Sequence, residues 1–453
     1  MRKILLYYPR ICGKNDTHDL YRGLPLSVLS LAAQFDESVY DIKVVDGRIE
    51  DDPFKKHKHW LDENTVCIGI SAITSNQIRD GLNFAEQVRT LNKNITIIWG
   101  GWHPSLMPEQ TIAHKNVDIV VVGQGEESFL VLVECLANKT SLNNVPNLLY
   151  KDNNKIVKTQ IKHLSAFNLT TPIEKSYAYV NVEDYIQPMW GSKRVVGYES
   201  SRGCPWRCRF CSVGSLYNGK WNCLNAERVV NGIEYLYAKH HIDAIHFFDN
   251  NFFVNQERVL QISRLIKERD MKMRWDGTST VDQFLGFTDS YIAQLKESGF
   301  YRVIIGVESG DEEVLAHINK RHRNKQVVEL VKKCSNAGIQ ASLSFMVGFP
   351  WNPEKDFNET IKLIEALKNI DASIEILLFI FSPYIGTRLY NIAISHGMVF
   401  PESLEGWANY TYDKVNTPWI SNRLRRKINR YISFFGTKDM SEQALLFFQG
   451  GNV

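Results

Sequence analysis

Short apolar runs alternate with helix-patterned stretches from Lys3 to His396, and few folds accept that order. In a first block, Lys3–Pro9, Asp41–Asp46, Thr65–Ser71, Asn94–Gly100 and Val117–Gly123 read as strands. Helical spacing covers Leu24–Phe35, Asn76–Leu91 and Glu126–Leu136 between them. Strands separated by helices predict an α/β fold with a doubly wound parallel sheet. From Val195 the pattern restarts. Strands are expected at Val195–Ser200, Asp243–Asp249, Met273–Thr280, Tyr301–Glu308, Gln340–Phe349 and Ser373–Pro383. Helices are expected at Asn225–Lys239, Gln256–Glu268, Asp289–Ser298, Lys325–Ala337, Lys355–Asn369 and Thr387–His396. The chain therefore divides into 1–145, a linker 146–190, a second domain 191–390 and a short helical region 391–453.

Ligands of open α/β sheets settle beyond the carboxyl ends of the strands. In the first block those ends are small and polar: Ser71-Ala-Ile-Thr74, Gly100-Gly-Trp-His-Pro104 and Gly123-Gln-Gly-Glu126. No Gly-x-Gly-x-x-Gly follows the first strand, which disfavours a dinucleotide site. In the second block the first strand runs into Cys204-Pro-Trp-Arg-Cys208-Arg-Phe-Cys211. Three thiolates at this spacing can wrap one face of a cuboidal iron–sulfur cluster and leave its fourth iron without a cysteine. An open metal position invites an exogenous ligand. A structural zinc would need a fourth ligand, for which Cys223, His240 and His241 are the nearest candidates. The other cysteines, Cys12, Cys67, Cys135 and Cys334, are scattered and make no disulfide framework.

The triplet, with Phe210 before its last cysteine, resembles the signature of the radical S-adenosylmethionine (SAM) superfamily. That resemblance implies a 4Fe–4S cluster on Cys204, Cys208 and Cys211, with SAM chelating the fourth iron. It also implies an open six-stranded, TIM-like barrel whose chemistry sits at the strand carboxyl ends. Phe210, Asp249, Glu308, Ser309 and Gly348 then fall where the family contacts SAM, Asp249 at its ammonium and Glu308 and Ser309 at its ribose and carboxylate. Residues 100–104 and 118–126 resemble the Gly-Gly-x-His-Pro and Asp-x-Val-Val-x-Gly-x-Gly-Glu pattern of a Rossmann-like cobalamin-binding domain. Its contacts would be Ser71, Thr74, Gly100, Gly101, Gly123, Gly125 and Glu126. Asp16-Thr-His18 lacks the glycine that closes the histidine motif of other cobalamin domains, so the lower cobalt face is not expected on that histidine. His103 is expected as a turn residue.

The resemblance implies reductive SAM cleavage and methylation of an unactivated carbon or phosphorus. A non-methylating rearrangement, dehydration or cyclisation, or a sensor without catalysis, are the alternatives. The implied partners are a small-molecule or peptide substrate and an electron donor of flavodoxin or ferredoxin type. A net charge of +3 over 453 residues makes no case for nucleic acid. No apolar run spans a bilayer, and a thiolate cluster suits a reducing, cytoplasmic setting. Ser421–Phe435 carries Leu424, Ile428, Tyr431, Ile432 and Phe435 on one helical face with arginines outside it. It would either dock on the barrel or lie peripherally on an anionic membrane.

Overall fold

The computed structural model describes residues 1–11, 22–153, 155–162, 171–411 and 414–439. Cys12 and the Asp16-Thr-His18 segment lie outside them. Two compact units emerge: Met1–Tyr185 with Phe400–Lys414, and Ile186–Val399 with the described residues from Val415 onward.

Among the described residues the first unit holds a seven-stranded sheet of β1 (Arg2–Tyr8), β2 (Tyr40–Asp46), β3 (Thr65–Ser71), β4 (Thr96–Gly100), β5 (Ile119–Val121), β6 (Leu148–Asp152) and β7 (Lys155–Lys158). Its order is β2-β1-β3-β4-β5-β6-β7, the first five parallel. This is the doubly wound order in which the connection reverses between β1 and β3, opening a crevice there. The parallel strands read as unbroken apolar runs because both faces are covered: Ile4, Leu5, Leu6, Ile68 and Ile97 are wholly buried. Helix Asn76–Leu91 starts on a Ser75 cap and carries Gly81 in its interior, where a Cβ would lie 2.9 Å from the Trp99 ring.

Two expectations need correction here. Residues 146–190 are not a plain linker, since β6 and β7 extend the sheet in antiparallel pairing. The charged run Lys151-Asp-Asn-Asn-Lys155 hid that hairpin, whose anchors are the buried Leu148, Leu149 and Tyr150. Nor is 391–453 one region, because Phe400–Lys414 belongs to the first unit. There Trp407 is wholly buried and donates its indole N–H to Gln110 Oε1 at 2.8 Å.

The second unit holds β8 (Gln187–Met189), β9 (Ser192–Tyr198), a hairpin of β10 (Ser201–Gly203) and β11 (Trp221–Cys223), then β12 (Ala244–Phe247), β13 (Arg274–Ser279), β14 (Phe300–Glu308), β15 (Gln340–Val347) and β16 (Glu375–Ile380). The main sheet runs β16-β15-β14-β13-β12-β9-β8, with six parallel strands and β8 antiparallel on the edge. These are the six strand–helix units expected, forming a partial barrel. Towards the amino ends of its strands Arg302 is fully buried between Asp276 (3.0 Å) and Glu375 (2.8 Å), with Trp190 on its guanidinium at 3.7 Å. Breaking such a buried network strands an uncompensated charge.

Helix Asn422–Asp439 packs on β16 and buries Leu424, Ile428 and Phe435. The barrel thus covers part of the apolar stripe, while Tyr431 and Ile432 are half-buried and Phe434 stays exposed. Arg426, Lys427 and Arg430 stay exposed. Among the described residues no helix is long and apolar enough to cross a membrane.

Candidate functional site

In the first unit the site residues gather at the ends of β3, β4 and β5. Gly101 has φ +95°, and a Cβ there would lie 2.8 Å from both Ala72 N and Ala72 O. Only glycine fits. The expected turn at 100–104 tightens into the short helix Trp102–Leu106, pinned by His103 N–H donating to Ala72 O at 3.1 Å. Ser105 Oγ donates to Gly101 O (2.6 Å) and accepts from Gly123 N–H (2.8 Å), tying the β4 and β5 loops together. Gly123 has φ +79° and nothing within 4 Å of where a Cβ would stand, so this backbone faces open space. Gly125 caps helix Glu126–Asn138 against Leu31, 3.2 Å from its Cβ position. Gly100 is under no such constraint, its nearest neighbour being 3.8 Å away. Glu126 is buried in the first turn of that helix, where the helix dipole favours an acid.

Ser71 Oγ donates to Ser27 Oγ at 3.0 Å. Thr74 Oγ1 bonds His103 Nδ1 at 2.7 Å. Burial pulls the His103 pKa down to about 3, so its ring is neutral, and Nε2 is buried without a hydrogen-bond partner. The ring lies 5.7 Å from that of Trp407. His103 therefore orders Thr74 from inside. Gln77 gave no sequence signal beyond its place after a cap, yet it bridges the crevice. Its Nε2 donates to Pro9 O and its Oε1 accepts from Ile73 N–H, both at 2.9 Å.

In the second unit the cysteine loop leaves the hairpin strand β10 rather than β9 itself. Gly203, at φ +83°, makes the turn possible, since a Cβ would sit 2.1 Å from Lys220 O. Backbone bonds fix the loop: Arg209 N–H to Ile318 O (3.0 Å), Leu389 N–H to Arg209 O (3.2 Å) and Cys211 N–H to Cys208 O (3.3 Å). Phe210 packs on the cluster of Leu315, Ile318, Phe349, Phe381 and Leu389, anchoring the loop. The three thiols are mutually close enough for Cys211 to feel the charge of Cys208 and Cys204. They do not converge on one point, and among the described residues no three His, Cys, Asp or Glu gather as ligands of a single ion would. Burial pushes all three thiols up, Cys211 to about 12. Desolvated thiols of this kind ionise when a metal centre binds them, and a set of three cysteines suits a cubane that keeps one iron open. Cys223 faces Arg258 and Asp249 instead of the triplet, and His240 lies beside Arg194 near the opposite end of β9.

Lys320 is the residue the sequence did not offer. Its buried Nζ bonds Glu308 Oε1 at 2.9 Å and Gly306 O at 2.8 Å, and its charge acts on Cys208 and Cys211. Attraction to Glu308 and the cysteines outweighs desolvation and raises its pKa. Glu308 itself sits at φ +75°, a strained position for a bulky side chain. Gly306 leaves the room, since a Cβ there would meet Glu308 Oε1 at 2.2 Å.

The other SAM candidates are placed at the strand ends but face inward. Asp249 is wholly buried: its carboxylate accepts from Ser200 N–H (2.7 Å), Ser200 Oγ (2.7 Å) and Ser201 Oγ. Desolvation raises its pKa. Ser309 is likewise buried and donates to Asp356 Oδ1 at 2.6 Å, while Asp356 Oδ2 accepts from Gly348 N–H at 2.7 Å. Trp419 Nε1 donates to Gly348 O at 2.8 Å. Asp356, absent from the sequence reading, thus joins the ends of β14 and β15; burial pushes its pKa up to about 6.

A family model described as the radical SAM superfamily matches residues 198–364, and one described as a B12 binding domain matches 17–133. An uncharacterized methyltransferase of Pyrococcus horikoshii is 30% identical, covering 91% of this chain and 88% of the relative. Cytidylyl-2-hydroxyethylphosphonate methyltransferase of Streptomyces wedmorensis is 23% identical over 89% and 84%. The solved radical S-adenosylmethionine methyltransferase TsrM of Kitasatospora setae shares the fold, with a TM-score of 0.67 at 17% identity over 87% of this chain and 76% of that one. The chain belongs to the radical SAM superfamily, in the branch that carries a B12-binding domain, and its cofactors are those of that branch: a 4Fe–4S cluster, SAM and cobalamin.

Proposed function

We propose that the chain transfers a methyl group from SAM, by way of cobalamin, to a carbon or phosphorus of a small-molecule substrate that lacks a reactive lone pair. The observation that carries this is the 30% identity to the uncharacterized methyltransferase of Pyrococcus horikoshii across 91% of the chain, spanning both units. The phosphonate methyltransferase named above supports the same outcome. When bound, the cluster and SAM supply one-electron cleavage of a sulfonium, and cobalamin supplies a methyl carrier.

The chain's own residues have separable tasks. Cys204, Cys208 and Cys211 would hold the cluster, on a loop whose geometry Phe210 and Arg209 fix. Lys320 sets a fixed positive charge beside the thiolates and holds Glu308 for SAM. Asp249, Ser309 and Gly348 act as positioning residues, ordering the strand ends through buried hydrogen bonds rather than through direct contact. Gly101 and Gly123 clear backbone for cobalamin, with Ser71, Thr74, Gly100, Gly125 and Glu126 around them. The electron donor would be of flavodoxin or ferredoxin type, and the setting a reducing cytoplasm.

Anaerobically reconstituted protein supplied with cobalamin, a reductant and SAM labelled in its methyl group tests the reading. Incubated with an anaerobic cell extract as substrate source, it should place the intact labelled methyl in a small molecule. Deoxyadenosine formed in step with an unlabelled product would point to the non-methylating outcome instead.

A further inference from the structure

We infer that the outer side of the cysteine loop is the docking face for a small one-electron carrier protein with an acidic surface. This rests on the cluster-bearing role proposed for Cys204, Cys208 and Cys211.

The charge of the chain is strongly localised. Residues 200–226, which carry the loop, contain Arg202, Arg207, Arg209 and Lys220 and no acid. Residues 314–328, which brace it, contain Lys320, Arg321, Arg323 and Lys325 and again no acid. Eight cations lie in these two stretches of a chain whose net charge is +3, so everything else sums to −5.

Some of these cations already have partners. Arg202 pairs with Glu199 at 2.7 Å, Lys320 with Glu308, and Arg209 donates to His317 O at 3.0 Å. Arg323 lies 4.0 Å from Glu312. Arg207, Lys220 and Arg321 are different: all three are exposed, and among the described residues none has a carboxylate partner.

They also share one place. Arg321 stacks on Trp206 with its guanidinium 4.2 Å from the ring centroid, and its charge is felt at Cys208. Asn319 Nδ2 donates to Arg207 O at 2.9 Å, holding that strip of loop to the brace. Arg207 Nε lies 3.3 Å from the Cβ position of Gly219, next to Lys220. Trp206 and Arg207 stand in the chain between Cys204 and Cys208, so a partner seated here is within a residue or two of the ligands.

Unpaired charges of one sign raise encounter rates with an oppositely charged partner and add little to the fold. A transient redox contact of small area needs that arrangement. The step is a single electron passing from the reduced carrier to the cluster, the carrier leaving oxidised by one electron.

The test compares reduced flavodoxin and reduced methyl viologen as donors to the reconstituted holoenzyme, followed by the loss of cluster absorbance in stopped flow. With flavodoxin, the combined variant R207E/K220E/R321E should be slower by about tenfold or more at low ionic strength. The gap should close near 0.5 M salt, roughly where the screening length falls to a few ångströms. With methyl viologen, a cation, the rate should not fall. Should the combined variant fail to fold, the salt dependence of the wild type with flavodoxin still decides, because a salt-independent rate overturns the inference. An unchanged flavodoxin rate in the variant, an equal loss with both donors, or charge-sensitive binding of tRNA at the expense of flavodoxin would also overturn it. In each of those cases a cluster that takes electrons from methyl viologen and responds to SAM leaves the proposed function standing.

Discussion

At the carboxyl ends of β3, β4 and β5 the first unit presents backbone, whereas at the ends of β9, β12, β14 and β15 the second presents buried charge. The first rim is made of glycines and hydroxyls: Gly101 fits only without a Cβ, and Gly123 faces open space. The second is laced by Asp249, which ties the ends of β9 and β12, by Asp356, which ties those of β14 and β15, and by the Glu308–Lys320 pair at the end of β14. On the proposed function the contrast follows from the size of what each rim would hold. A large flat cofactor needs room for its faces, which absent side chains provide. A small sulfonium beside a metal cluster would need rigid groups in a dry setting, which buried, hydrogen-bonded carboxylates provide.

Substitutions can break the contrast, the largest effect coming from the cysteines. Cys208→Ser should abolish iron incorporation and reduce deoxyadenosine formation to background, measured by iron content and chromatography. Lys320→Met strands the Glu308 carboxylate in a buried site and should destabilise the second unit by about 3–5 kcal/mol, read by denaturant unfolding of the apo protein. Gly101→Ala meets both a positive φ and a backbone clash. It should weaken the first unit by roughly 1–3 kcal/mol and remove corrinoid binding, followed by visible absorbance, with cluster assembly intact. Gly100→Ala, beside it, should change stability by no more than about 0.5 kcal/mol.

Asp356 sharpens the comparison through pH. Its folded pKa, about 6, lies above that of an unfolded carboxyl, so the folded state holds the proton more tightly. Its contribution is therefore fully favourable below the unfolded value and is lost as pH rises to about 6, by roughly 2–3 kcal/mol. Asp356→Asn should flatten that part of the stability profile between about pH 4 and 6, as thermal melts across the range would show.

The strands were legible because parallel strands covered on both faces leave continuous apolar runs, and all six of the barrel lay within a few residues of their expected places. The cysteine triplet and the strand-end glycines were legible because each pattern is complete within a few consecutive residues. What stayed hidden depends on distant partners. Ser309 meets Asp356 across 47 positions, and Lys320 reaches back 14 to Gly306; neither leaves a mark in a local window. Asp249 and Ser309 show a related limit, since a motif fixes where a side chain starts but not which neighbour it finds. The hairpin of β6 and β7 was masked for a third reason: its charged turn outweighed the three apolar residues that anchor it.

Electron paramagnetic resonance of the reduced, reconstituted protein, recorded with and without SAM, bears most directly on the open iron. A cluster held by Cys204, Cys208 and Cys211 alone should give a 4Fe–4S signal whose g-values move when SAM is added. A signal that ignores SAM, or a centre filled by zinc with no signal at all, would contradict it.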